Sequence, residues 1–119
     1  MINPAVVEGQ VRGATAMGLS GILLERIPYA DDGSCLVESF FDYPIASAVE
    51  IPDIEIEHLK SASDLIMGAR GVGEGGAITA PAALLNAVDD AIIAAGGGRI
   101  ARTPCTPTEV LRALGVPMG

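Results

Sequence analysis

Tryptophan is absent from this sequence, and aromatic residues of every kind make up 3% of it, two Tyr and two Phe. A core organised around large rings is therefore excluded. The hydrophobic half of the chain must pack as Ala, Val, Ile and Leu, with many small side chains that permit close backbone contact. Positive charge is also scarce: seven Lys and Arg against fifteen Asp and Glu leave a formal charge of −8. Phosphate backbones favour the opposite sign and no basic cluster is present, so no nucleic-acid partner is expected. The single histidine, His58, has no second imidazole with which to share a metal, and it supports no Ser-His-Asp constellation. Cys35 and Cys105 lie far apart and outside any C-x-x-C spacing, which argues against a metal knuckle or redox pair and for buried or idle thiols. No uninterrupted apolar run reaches the roughly 18 residues of a membrane span. The opening Met-Ile-Asn-Pro lacks the charged and apolar regions of a secretion signal, so a cytoplasmic location is expected.

What remains, 119 residues without an internal repeat or an evident linker, suits one domain. Asn3-Pro4 is a good helix start, since Asn caps free amides and Pro tolerates the first helical position. From Ala5 to about Glu25 the sequence reads as helix, yet it carries Gly9, Gly13, Gly18 and Gly21. Each costs roughly 1 kcal/mol against Ala in a helix interior, so the helix is expected to press against another backbone or a bulky ligand. Arg26 to Tyr43 reads as a hairpin around Asp31-Asp32-Gly33, and Ile54 to His58 alternates like a strand with one wet face. Lys60 to Gly76 is loop-like apart from Leu65-Ile66-Met67. A second helix is expected from Ala80-Pro81 to the Gly96-Gly97-Gly98 stop, with Asp89-Asp90 on its solvated face. Thr106-Pro107-Thr108-Glu109 opens a last helix that Gly115 and Pro117 end. The expected fold class is α+β: a glycine-rich N-terminal helix, a β-hairpin plus a further strand, and two C-terminal helices.

The one stretch whose chemistry asks for an explanation is Gly71-Val72-Gly73-Glu74-Gly75-Gly76, four glycines around a single carboxylate. It matches G-x-G-x-x-G formally, but the preceding residues make a poor strand and the helix is expected to begin too late for a dinucleotide loop. Glu74 would also put negative charge where a pyrophosphate should sit. Read from the residues alone, Glu74 is either a capping or exposed loop carboxylate, or a group presented to a reaction.

Several spaced motifs bear on that choice. Ile2 to Glu25 (INPAVVEGQVRGATAMGLSGILLE), Phe41 to Pro52 (FDYPIASAVEIP), Gly68 to Ile92 (GARGVGEGGAITAPAALLNAVDDAI) and Thr103 to Leu114 (TPCTPTEVLRAL) occur in this order. Together they resemble the C-terminal end of the molybdopterin-binding large subunit of molybdenum hydroxylases, the family of xanthine dehydrogenase, aldehyde oxidoreductase and aerobic carbon monoxide dehydrogenase. The resemblance covers nearly all of residues 1–119 and implies that they form the C-terminal part of a molybdopterin-binding domain. It also implies that Glu74, in Arg70-Gly71-Val72-Gly73-Glu74, is the active-site base of the family's K-G-x-G-E motif, which takes a proton from a hydroxyl ligand of molybdenum. On this reading Gly71 and Gly73 let the backbone approach the cofactor. Two positions depart from the pattern: Arg70 replaces the common lysine, and Met17 stands where the family has a pterin-contacting glutamine. A thioether cannot donate the amide hydrogen bonds of that glutamine.

The family subunit is several times longer than this chain, so three functional readings follow. In the first, the chain completes a molybdopterin site with a larger partner chain, is inactive alone, and exposes an apolar face around the first helix and the Glu74 loop. In the second it is a non-catalytic remnant that covers that face with a copy of itself, as a homo-oligomer. The third, a small-anion module built on the glycine loop, has Arg70 as its only nearby cation and ranks last. The resemblance leaves substrate identity open.

Overall fold

The first helix, α1 (Pro4–Leu23), starts as its sequence predicts: the Asn3 side chain accepts from the Val6 N–H at 3.2 Å, and Pro4 takes the first helical position. This computed structural model describes residues 1–60 and 62–118. A second long helix, α2 (Gly75–Ala94), lies against α1, and a short third helix, α3 (Pro107–Ala113), closes the chain. One 3-10 turn, Ile66–Gly68, interrupts the connection between α1 and α2, with Met67 at φ 60°.

The expected β structure does not form, and the fold is helical rather than α+β. Among the described residues, sheet pairing is confined to one antiparallel bridge between Tyr29 and Cys35. The turn itself is as predicted, with Gly33 at φ 84° and the Gly33 N–H donating to the Ala30 carbonyl. The flanks cannot extend it. Pro28 has no N–H to give a ladder, and the Asp42 carboxylate takes the Ser39 N–H and hydroxyl, holding Ser39 to Tyr43 in a tight bend. Ile54 to His58 is also not a strand. Its alternation survives as half-buried Ile54 and Ile56 beside exposed Glu55 and Glu57. Among the described residues no neighbouring backbone pairs with it; instead the stretch and the preceding Asp53 are tied to α1 by Arg12–Asp53 at 3.3 Å and Glu8–His58 at 3.8 Å. Period-two patterning reports two faces, not a ladder.

Helix α2 begins five residues before the expected Ala80-Pro81 start, so Pro81 lies inside it. Proline there removes one backbone bond. Its ring, however, packs on α1: a Cβ built on Gly18 would lie 3.0 Å from both Pro81 Cδ and Ala80 Cβ. Further up the same contact, a Cβ on Gly76 would lie 2.9 Å from the Thr15 nitrogen and 3.0 Å from the Val11 carbonyl oxygen. Close approach of the helices thus requires glycine at Gly18 and Gly76. Gly9, Gly13 and Gly21, expected to do the same, face open space within this chain.

At its C-terminus α2 ends with Gly96 at φ 86° and the Gly97 N–H donating to the Ile92 carbonyl, which satisfies an orphan acceptor of the last turn. The chain then folds back. Asp89, expected on a solvated face, is buried: one carboxylate oxygen accepts from the Ile100 N–H at 2.8 Å and the other pairs with Arg99 at 3.5 Å. Cys105 is buried too, and its N–H donates to the Ile22 carbonyl, which fixes the start of α3 to the end of α1. Thr106 caps α3 as predicted, while Glu109 pairs with Arg112 rather than completing a capping box.

The core is thin. Ala14, Ile92 and Cys105 are its buried apolar residues, and no described side chain is completely enclosed. The radius of gyration is 18.1 Å, against about 13.5 Å for a closed globule of this length. Phe40, Phe41, Leu59, Ile66 and Met67 are all exposed. By length and composition alone α2 is apolar enough to cross a membrane; here it carries Asp89 and Asp90 and packs along α1.

Candidate functional site

Glu74 stands at the N-cap of α2, where a short polar side chain would ordinarily bond the free amides of the first turn. It does not cap. Its side chain makes no capping hydrogen bond, is exposed, and has no ion-pair partner among the described residues. Its backbone is tightly held. The Glu74 carbonyl accepts from the Ile78 N–H at 3.1 Å, the first bond of α2, while the preceding Gly73 carbonyl accepts from the Gln10 side-chain amide at 2.9 Å. One residue beyond the start of α2, Gly76 rests against the α1 backbone between Val11 and Thr15. The carboxylate is thus free while the chain on either side of it is anchored to α1 and α2.

Gly71, Gly73 and Gly75 behave differently from Gly76. A Cβ at any of them would meet nothing within 4 Å, so no contact inside this chain requires glycine there. The loop offers a bare backbone edge beside the carboxylate. Arg70 is exposed and, like Glu74, forms no ion pair among the described residues.

Met17 lies on α1 at 61% exposure. Gln10 and Met17 are about two helical turns apart and share one edge of α1, beside the stripe that meets α2. Gln10 and the nearby Gly9, Gly13 and Gly21 are exposed as well, whereas Ala14, between Gln10 and Met17, is buried. Val6 and Ile78, also exposed, add to the apolar surface carried by the paired helices. His58 is a half-exposed neighbour of Glu8, and no cluster of three His, Cys, Asp or Glu able to hold a metal occurs among the described residues.

Two polar positions lay beyond sequence reasoning. Gln10 is one; its partner is a main-chain carbonyl, which leaves no side-chain pattern to detect. Buried Ser20 is the other. Its hydroxyl accepts from the Ala46 N–H at 3.0 Å and bonds Glu25, which also receives the Tyr43 hydroxyl. These two hydrogen bonds, Ser20 first, hold the Glu25 carboxyl below the usual carboxylate range.

Comparison with known proteins places this geometry in context. Residues 1–52 match the family model of the molybdopterin cofactor-binding domain. The large subunit of nicotine 6-hydroxylase from Paenarthrobacter nicotinovorans is 40% identical over 95% of this chain and 14% of that subunit. The carbon monoxide dehydrogenase large chain of Afipia carboxidovorans is 34% identical over 83% of this chain and 12% of its own length. In shape, the chain matches quinoline 2-oxidoreductase from Pseudomonas putida 86 with a TM-score of 0.89 and 39% identity, over 97% of this chain and 15% of that one. The chain therefore spans about one-eighth to one-seventh of the length of these relatives.

Proposed function

We propose that this chain, which belongs to the large-subunit family of the molybdenum hydroxylases, supplies the proton-accepting carboxylate Glu74 to a molybdopterin site completed by a larger chain. The observation that carries the reading is an N-cap carboxylate that caps nothing, held between two fixed peptides on a loop with a bare glycine edge. A capping carboxylate in that position would bond the amides of α2. This one is free for a reactant.

The residues present fit part of a cofactor site. When bound, the molybdenum cofactor supplies the redox chemistry. Glu74 would accept a proton at a carboxylate oxygen, and the exposed backbone of Gly71 and Gly73 would let a bulky group approach. Anchoring the pterin is a different matter, because Met17 has no N–H to donate. The remaining contacts belong to the larger chain, and residues 1–119 are inactive without it. The extended shape supports this division, since the open helical surface is suited to being covered by the other six-sevenths of such a subunit. A cytoplasmic enzyme of several chains is the setting this reading implies.

Native mass spectrometry of the protein from its source, with molybdenum assayed in the same peak, should find the chain with a large molybdenum-bearing partner. In that assembly Glu74→Gln should lower turnover by about 10²- to 10⁴-fold, the usual contribution of a general base, with metal content and assembly unchanged. Normal turnover would remove the base assignment. A metal-free homo-oligomer from the source would favour the remnant reading instead.

A further inference from the structure

We infer that Gln10 is a positioning residue for Glu74: its side-chain amide latches the Gly73 carbonyl and fixes the direction in which the carboxylate leaves the loop. The inference rests on the reading of Glu74 as the proton acceptor, but the latch can be tested without it.

The direction of the Glu74 Cα–Cβ bond is set by the two peptide planes that flank it. The plane on its C-terminal side is fixed by the helix, through the Glu74 carbonyl and the Ile78 N–H. The plane on its N-terminal side contains the Gly73 carbonyl and the Glu74 N–H. Gly73 gives that plane little intrinsic preference, because glycine populates several backbone wells at comparable energy. Packing does not restrain it either, since Gly71, Gly73 and Gly75 face open space. Among the described residues, one side chain from another element bonds the Gly71 to Gly76 loop, and it is Gln10, 63 residues away in sequence. Glu74 itself sits at φ −109° and ψ −4°, which any residue adopts without strain, so hydrogen bonding rather than backbone strain selects the conformation.

The fixed end of the latch is equally well defined. Gln10 lies in α1, and α1 is held to α2 by the glycine contact at Gly76, two residues beyond Glu74. The latch therefore closes a small ring of restraints: Gln10 to Gly73, Gly73 through Glu74 to Gly76, and Gly76 back to Val11 and Thr15. Opening the ring at Gln10 leaves both helices in place and frees only the loop. That makes Gln10 separable from a residue whose role is the fold.

The test uses three substitutions in the 119-residue chain. Gln10→Glu keeps the shape and removes the donor, because an ionised carboxylate only accepts. Gln10→Ala removes the group without adding charge, and Gln10→Lys restores N–H donors on a chain of sufficient reach. Backbone ¹⁵N relaxation at Gly73 and Glu74 should give order parameters falling from rigid values of about 0.85 to below about 0.6 in the Glu and Ala variants. Lys should recover most of that order. In the enzyme assembled with its larger chain, Gln10→Glu and Gln10→Ala should lower kcat by about tenfold with KM within about twofold, as misplacement of a reacting group does. Unchanged order parameters would overturn the latch, and lost order with unchanged kcat would overturn its positioning role. If Glu74→Gln retains turnover, the reading of Glu74 fails, while the relaxation result still decides whether the latch exists.

Discussion

The glycines of α1 and α2 provide the sharpest test of which surfaces this chain covers by itself. Gly9 and Gly13 lie in the interior of α1, and a Cβ at either would meet nothing within 4 Å. Replacing each by Ala should gain about 1 kcal/mol of helix propensity. For a chain of this size that is about 4 °C in Tm per substitution, or about 8 °C for the pair. Gly76→Ala should act in the opposite sense. Its Cβ would fall 2.9 Å from the Thr15 nitrogen and 3.0 Å from the Val11 oxygen, both main-chain atoms that cannot rotate away. Overpacking of this kind costs about 1–3 kcal/mol, and the propensity gain in a first turn is smaller than in an interior. A net fall of about 4–8 °C follows.

Thermal melts of the isolated chain by far-UV circular dichroism would measure both. If the Gly9→Ala, Gly13→Ala pair lowered Tm, the surface it occupies would not be open, and the account of α1 would be wrong. If Gly76→Ala left Tm unchanged, the helices would not approach as closely as described. If a larger chain covers this face as proposed, the same pair of α1 substitutions, stabilising in isolation, should weaken association with it, because the added methyls would project into the covered surface. Association of undiminished affinity would refute that placement.

The buried Asp89 gives a second contrast. Asp89→Ala leaves the Ile100 N–H without its acceptor and should cost about 1–3 kcal/mol. Asp89→Asn keeps an acceptor and loses only the pairing with Arg99, whose side chain is 75% exposed, for about 0–1 kcal/mol; equal shifts in urea midpoint would contradict this. A third concerns pH. Glu25 is held below the usual carboxylate range by the hydroxyls of Ser20 and then Tyr43. A depressed carboxyl contributes stability above its unfolded value and loses it as pH falls through the folded one. The Tm difference between the native chain and Tyr43→Phe should therefore be present at neutral pH and shrink below the usual carboxylate range. A difference independent of pH would show that Tyr43 acts by packing alone.

The parts of the fold that were legible are those whose physics is local. Asn3 and Pro4, Thr106 and Pro107, Gly33 and Gly96 act on amides or dihedral angles within a few residues of themselves, and each does so where the sequence placed it. The failures share a different cause: their outcome is set by a distant partner. A strand needs a neighbour, and Ile54 to His58 finds α1 side chains instead. Pro81 reads as a first-turn proline, yet α2 continues upstream because its ring is seated on Gly18. Asp89 reads as solvated because nothing local reveals that the chain after Gly98 turns back to place Ile100 on it. Glu74 could be singled out as the lone charge in a glycine run. That it does not cap α2 could not be read, since capping geometry depends on how the loop is held.

Two oddities of the composition share one physical origin. A helix with Gly9, Gly13, Gly18 and Gly21 has too many glycines to be favoured on its own, and a chain that is half hydrophobic buries few apolar residues. Among the described residues only Gly18, of those four, has a neighbour that requires it, and α2 supplies that neighbour through Ala80 and Pro81. The other three glycines and exposed Met17, Val6 and Ile78 lie on surface that the described residues leave uncovered. The glycine loop follows the same division. Gly76 is required by the α1 backbone, whereas Gly71, Gly73 and Gly75 face outward beside Glu74. Intramolecular packing therefore accounts for the placement of the Glu74 backbone but not for the emptiness around its side chain. That emptiness lies at the start of α2, on a loop tied to the same α1 edge that carries Met17. A fixed backbone and a carboxylate without a partner among the described residues are what the proposed proton acceptor requires.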